Sequence, residues 1–470
     1  MKIRLIPLLV FLVLLPLRAQ VTSQAPALLP PDARTKADVL VVIAHCDDDV
    51  ILAGYLARLT LDEHKRVAVI YVTNGDGGGN SVGNEAGAAL GQERQMEARH
   101  ALASIGIENL WFLGFHDTPS QNALYSLDNW NHGTALDGLV RLVRLTRPDV
   151  ILTWLPALVA GENHGDHQGS AVLAVEAFDA AGDPTRFPEQ VAPARDRTGM
   201  SNLTEGLLPW QPQKLYFFTD AFEVFSPYWH DEQEFSPFRK NLGDGNGPSY
   251  DMSTISPTRH KSYGEIMAEE QAFYMTQEGQ LGVDALKAKR FTDFEYPLHL
   301  IFGKSLVEGS VTGDVFEGVK PAGVPFRAVH GYEPGHEPAL SLQIGDPWRF
   351  YSLFWKAHDL NGIAGLIPIP EMAADLGENL QIPLLVCNGT QINAQVTVSA
   401  SLPAGWTNNT AFTRYPVHAG ECYPMAAKVA APPSGKSGWQ EITWTASADE
   451  RNVGSVKVRI YVGRVGGLPR

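Results

Sequence analysis

The chain has 470 residues, 44% of them hydrophobic, which is enough for one large core and more than a single core usually serves. Its 52 acidic residues outnumber 37 basic ones, and the formal net charge of −15 argues against a non-specific nucleic-acid binder and against electrostatic attachment to anionic membranes. With 19% charged residues, 44 glycines and 32 prolines, it is neither a coiled coil nor a disordered acidic tail.

The N-terminus carries Lys2 and Arg4, an apolar run from Leu5 to Leu17, and polar sequence from Gln20 to Ser23. That is a secretory signal pattern, taken as residues 1–25, and it predicts a secreted, periplasmic or extracellular protein. An uncleaved anchor is the alternative, although the run is short for a membrane span. No later stretch is apolar enough to cross a bilayer, so no transmembrane segment is expected after signal removal.

From Val39 to Phe218 short apolar runs alternate with helical patterns. Strands are predicted at 39–45, 67–75, 109–115, 149–155 and 214–218, and helices at 51–63, 92–106, 135–147 and 169–181. This alternation predicts an α/β domain over 30–302, a Rossmann-like, mostly parallel sheet with helices on both faces. Residues 223–260 read as a long polar and aromatic loop, and a helix resumes near 262–277. A segment at 303–375 connects onward or belongs to an accessory β domain. Period-two runs over 376–465, with turns at Pro403–Trp406 and Pro432–Gly438, predict an immunoglobulin-like all-β sandwich. Cys387 and Cys422 could pair across two of its strands or remain buried thiols.

The first strand runs into Ala44-His45-Cys46-Asp47-Asp48-Asp49. Consecutive polar groups at the mouth of a buried strand are costly unless something binds them, and imidazole beside carboxylates suits zinc. The alternative is an acidic cap on the next helix. After the strand ending at Leu155 comes His164-Gly165-Asp166-His167. One imidazole could take a metal, and Asp166 could cap a helix or fix a tautomer. Two such clusters at parallel-strand ends make a stronger joint signal than either alone.

A third strand end carries Asn74-Gly75-Asp76 and further glycines, without a dinucleotide or phosphate-loop pattern. Arg94 and Glu97 lie three apart on the following helix, either substrate-facing or as an ion pair. His116-Asp117 ends another strand.

These blocks resemble the zinc-dependent de-N-acetylase family that includes N-acetylglucosaminyl-phosphatidylinositol de-N-acetylase and the LmbE-like proteins (PIG-L/LmbE). The family's AHPDDE block stands here as AHCDDD at 44–49, and its HPDH-like block as HGDH at 164–167. TNGDGG at 73–78, Arg94 with Glu97, and FLGFHD at 112–117 add to the likeness. The resemblance implies one zinc, or another divalent ion, held by His45, Asp48 and His167. It further implies Asp47 as general base and a protonated His164 facing the tetrahedral intermediate. Asp166 would support the histidine loop, with Asp49, Asp76, Arg94, Glu97 and Asp117 supporting or substrate-side. Cys46 replaces the usual proline and Asp49 the usual glutamate, which puts loop geometry in doubt more than metal binding. The last segment resembles the NEW3 immunoglobulin-like domain that accompanies bacterial glycan-active enzymes.

The implied activity is a zinc-dependent hydrolase removing N-acetyl groups from an N-acetylglucosamine-type sugar or glycoconjugate. Tyr228, Trp229 and His260 are candidate cleft-lining residues, though ordinary packing would explain each. The rivals are a secreted glycan-binding protein with an inactive deacetylase-like domain, and a metal-dependent hydrolase of another class. The sequence identifies no protein partner.

Overall fold

The computed structural model describes residues 33–158, 164–192, 206–219, 245–329, 340–345, 347–367 and 370–463. The signal-like segment 1–25, Tyr228 and Trp229 lie outside them.

Runs of branched and aromatic residues form five parallel strands: β1 (Val39–Ile43), β2 (Val67–Thr73), β3 (Asn109–Phe115), β4 (Val150–Trp154) and β5 (Lys214–Phe218). Their order is β3-β2-β1-β4-β5. Four of them are buried along their whole length, as continuous apolar strands covered on both faces should be. Edge strand β3 is only partly buried. An antiparallel ribbon of β6 (Ser249–Asp251) and β7 (Pro297–His299) leads to β8 (Ile301–Ser305), which joins the sheet antiparallel to β5.

A composite helix from Asp48 to Asp62, with α1 (Ala53–Ala57) at its centre, joins β1 to β2. Then come α2 (Ala88–Ser104), α3 (Ala123–Asn129), α4 (His132–Thr146) and α5 (Gly165–Ala180). The four anticipated helices each begin a turn or so before their predicted starts, because polar caps and first turns carry no apolar period. The short α3 escaped the sequence reading.

The second core is a sandwich. Its strands are β9 (Leu340–Ile344), β10 (Glu371–Ala374), β11 (Asn379–Asn388), β12 (Ala394–Ser401), β13 (Thr407–Asn408), β14 (Arg414–Val417), β15 (Cys422–Ala430), β16 (Gly438–Ala448) and β17 (Arg451–Val462). They form two sheets, β10-β17-β16-β12-β14 and β13-β15-β11-β9. Ile382, Val386, Val396, Trp444, Val458 and Ile460 fill the space between them. Cys387 and Cys422 are register partners on β11 and β15 and form a disulfide, whereas Cys46 is a buried free thiol.

The described parts of the segment 303–375 divide between the two cores. Its start completes β8, β9 is a sandwich strand, and the helix Trp348–Ala357 returns to the first core. Tyr351, Phe354 and Trp355, spaced i, i+3 and i+4, put one aromatic stripe of that helix into the α/β core. Among the described residues no helix is long and apolar enough to cross a membrane.

Candidate active site

The clusters singled out in the sequence meet at the carboxyl edge of the parallel sheet, where ligands of such sheets sit. His45 Nδ1 lies 2.9 Å from His167 Nε2 and 3.4 Å from Asp48 Oδ1. His167 Nε2 is 3.0 Å from the same Asp48 oxygen. Asp48 Oδ2 accepts from the backbone N–H of Ala44 at 2.9 Å, that of His45 at 3.0 Å and the Trp154 indole at 2.9 Å. Three donors on one oxygen fix the carboxylate and turn the other towards the imidazoles. A tetrahedral ion with bonds of about 2.0–2.1 Å separates its ligand atoms by about 3.3 Å. The triangle of His45, Asp48 and His167 has that size, so the donor set fits one divalent cation.

Outer contacts hold these groups. His45 Nε2 is 3.3 Å from Asp166 Oδ2, which also accepts from the Thr118 N–H at 2.7 Å. This is the usual way a ligating imidazole has its tautomer set. The Trp154 ring stacks on His167 at 4.4 Å and 16°. Gly165 gives the histidine segment its close approach to the α3 entrance, because a Cβ there would lie 2.8 Å from the Ser120 carbonyl oxygen. His164 joins His45 and His167 in a group whose ring nitrogens lie within 4.8 Å of one another, and its Nδ1 is buried without a partner among the described residues.

Charge follows from this packing. Burial disfavours the cationic form of His45, but Asp48 and then Asp166 outweigh it and raise its pKa well above the usual value. Burial likewise opposes charge on Asp48, yet His167 and His45 hold it well below the usual carboxylate range. His164 is pushed down to about 4, first by burial and then by His45 and His167. Burial and its two histidine neighbours thus work against the protonated His164 that the resemblance implies.

Asp47 stands beside the triangle. Its side chain caps no helix, contrary to the acidic-cap alternative; its Oδ1 instead accepts from Arg94 at 2.9 Å. Arg94 is 4% exposed, reaches the Gly75 carbonyl oxygen at 3.3 Å and sits 3.6 Å from Asp117. Asp117 in turn accepts from the N–H groups of Gly75 and Gly77 at 3.1 and 2.9 Å. Asp76 accepts from the Asp117 N–H at 3.0 Å and meets His116. Arg94, Asp117 and Asp76 thus clamp the ends of β2 and β3 around Asp47. Asp117 and Asp166 also lie near His45 as a possible ligand group; Asp117 has both oxygens on the Gly75 and Gly77 N–H groups, and Asp166 faces the His45 nitrogen turned away from Asp48 and His167.

Other predicted residues lie elsewhere. Glu97 does not pair with Arg94; it accepts from the Thr276 N–H at 2.9 Å and from its hydroxyl, tying α2 to the loop beyond the helix Tyr263–Gln271. Asp49 points away from the triangle into the core, where Tyr71 and Tyr274 donate to it at 2.7–2.8 Å. Glu270 faces Asp49, and as two carboxylates they would leave the Glu270 oxygens without a partner. One shared proton removes that conflict. Burial raises the pKa of both groups; on Asp49 the bonds from Glu270, Tyr274 and Tyr71 work against it, whereas on Glu270 the Asp49 charge adds to it and pushes the group well above the usual range. His260 is a correction. Its loop binds Asp62 through Ser256 and Thr258 and Ser104 through Arg259, at helix ends that feed the amino edge of the sheet, opposite the site. Cys46 turns its thiol towards Asn74 and Gly75, and burial pushes its pKa well up. The sequence reading missed Trp154, Thr118, Tyr71, Tyr274 and Glu270.

The family described as GlcNAc-PI de-N-acetylase (PIG-L) matches residues 40–178, the stretch that carries both histidine clusters. Residues 40–178 form a PIG-L domain. The 1D-myo-inositol 2-acetamido-2-deoxy-alpha-D-glucopyranoside deacetylase 1 of Catenulispora acidiphila is 30% identical over 190 residues, covering 37% of this chain and 58% of that protein. Its counterpart from Frankia alni is 29% identical over 189 residues, covering 37% and 59%. The chain thus spans less than two thirds of the length of these curated relatives. Among solved structures, N,N'-diacetylchitobiose deacetylase from Pyrococcus horikoshii is 16% identical with a TM-score of 0.36, covering 56% of this chain and 83% of that one. The PIG-L match stops at the end of α5, so the later helices, β8 and the whole sandwich lie beyond it.

Proposed function

We propose that the protein is a zinc-dependent N-deacetylase acting on an N-acetylglucosamine-type sugar or glycoconjugate outside the cytoplasm. The observation that carries this reading is the convergence of His45, Asp48 and His167 around one point, with Asp47 held beside them by Arg94. The names of the curated relatives support the acetamido-sugar class. The apolar N-terminal run and the Cys387–Cys422 disulfide support an oxidising compartment.

Held by His45, Asp48 and His167, a zinc ion would polarise the amide carbonyl and acidify a water molecule. Arg94 holds one oxygen of Asp47 and leaves the other for the reacting atoms. That oxygen takes the proton of the attacking water and returns it to the amine as the C–N bond breaks, giving acetate and free amine. The His164 N–H meets the carbonyl oxygen as it gains charge, and burial makes that contact count for more. Asp166 and Trp154 keep His45, Asp48 and His167 from turning during the cycle.

The test is acetate release from N-acetylated oligosaccharides by the full chain, with and without chelator, alongside phosphate esters. Chelator-sensitive release from the sugars alone is expected. Turnover of the esters, or none of any substrate by metal-replete protein, would overturn the reading.

A further inference from the structure

The PIG-L match ends at 178, yet a helix some 170 residues further on grips the histidine segment. We propose that Tyr351 is a positioning residue of the site, buttressing together with Trp355 the segment that supplies His164 and His167. The inference deepens the proposed function and rests on it for the roles of those two histidines.

Two hydrogen bonds carry it. The Tyr351 hydroxyl donates to Gln168 Oε1 at 2.6 Å, and Gln168 directly follows His167. Both side chains are buried, Tyr351 to 1% and Gln168 to 0% exposure. The Trp355 indole donates to the Pro156 carbonyl oxygen at 2.8 Å, two residues after the Trp154 that stacks on His167. The helix therefore holds His167 from two directions: through its own backbone neighbour, and through the strand exit that carries its stacking partner.

Packing alone would be served by phenylalanine at 351. A buried hydroxyl is costly unless it is bonded, and this one bonds the buried amide of Gln168, whose Nε2 also reaches the Gln121 carbonyl oxygen at 3.5 Å. The helix is itself fixed from behind. The Gly345 N–H donates to the Pro383 carbonyl oxygen at 2.8 Å, the Arg349 N–H to the Gly345 carbonyl oxygen at 3.2 Å, and β9 pairs with β11. The sandwich thus holds the helix, and the helix holds the histidines.

The experiment compares full-length wild type with Tyr351→Phe and Trp355→Phe. It reads the imidazole nitrogen resonances of His164 and His167 in chelated protein, cobalt(II) affinity with its absorption bands, and kcat and KM for acetate release. Removing a direct outer partner of a metal ligand typically costs 10–100-fold in affinity, and Tyr351 stands one bond further out, so a loss of about three- to tenfold is expected. The resonances of His167 should move, the cobalt bands should shift, and kcat should fall with KM nearly constant, while the melting temperature of Tyr351→Phe stays close to wild type. Unmoved resonances and unchanged cobalt affinity in both variants would overturn the proposal. So would a lowered melting temperature with every site readout intact, which marks a purely structural role. If the wild type releases no acetate, the deacetylase reading fails, and the resonances and cobalt affinity still decide this one.

Discussion

Replacing Trp154 with phenylalanine would remove one hydrogen bond from the site and keep most of its ring stack. The indole donates to Asp48 Oδ2 at 2.9 Å and lies 4.4 Å from the His167 ring. A hydrogen bond to a charged group contributes about 1.5–3 kcal/mol, which is roughly 10–100-fold in an equilibrium constant. Asp48 would keep its two backbone donors, so the lower end applies, and zinc affinity should fall about tenfold. The smaller ring would leave a void beside Phe218, which the indole now touches at 4.4 Å, at a cost on the order of 1–2 kcal/mol of stability. Zinc competition against a chelator of known affinity measures the first effect, and denaturant unfolding of chelated protein measures the second. Unchanged zinc affinity in a stably folded Trp154→Phe would refute the reasoning, since the indole bond would then contribute nothing to holding Asp48 as a ligand.

Three further outcomes follow from the same contacts. Asp47→Asn should retain zinc, seen by metal analysis, and lose about 100-fold or more in kcat; near-normal turnover removes Asp47 as the base. Arg94→Lys cannot span Asp47, Gly75 and Asp117 together, so kcat should drop about tenfold with zinc content unchanged, checked by steady-state kinetics. Glu270 has a raised folded-state pKa, so the native protein keeps a proton that the unfolded chain releases above about pH 4.5, and stability falls as pH rises through that window. Glu270→Gln should therefore melt higher than wild type at pH 8, with the gap closing below pH 4.5; parallel melting curves across that range would disprove the shared proton.

The parallel sheet was legible because strands buried on both faces read as unbroken apolar runs, as at Val39–Ile43 and Val150–Trp154. The metal triangle was legible through its order along the chain, since His45, Asp48 and His167 follow strand ends that topology must bring to one edge. What escaped was contact between elements remote in sequence. Nothing around Glu270 announces Asp49 as its partner, and Glu97 lies three residues from Arg94 but turns to Thr276. His260 looked plausible beside an aromatic loop, but its neighbours bind Asp62 and Ser104 at the far edge. The strand β9 is only five residues long and 34 residues separate it from the start of its sheet neighbour, so no local period reveals it.

The path of the chain also bears on how such a protein can be assembled or taken apart. Between Leu340 and Ala374 it enters the sandwich, crosses back to the first core, and returns. A junction placed where the β-rich pattern begins, near residue 376, would graft a sandwich lacking β9 and β10 and leave Leu342 stranded on the donor. A junction before 340 would carry an aromatic helix shaped for a host core it no longer meets. Exchange by a single crossover is therefore disfavoured. The two halves are expected to be inherited together, and fusion or display designs should keep both cores in one cargo.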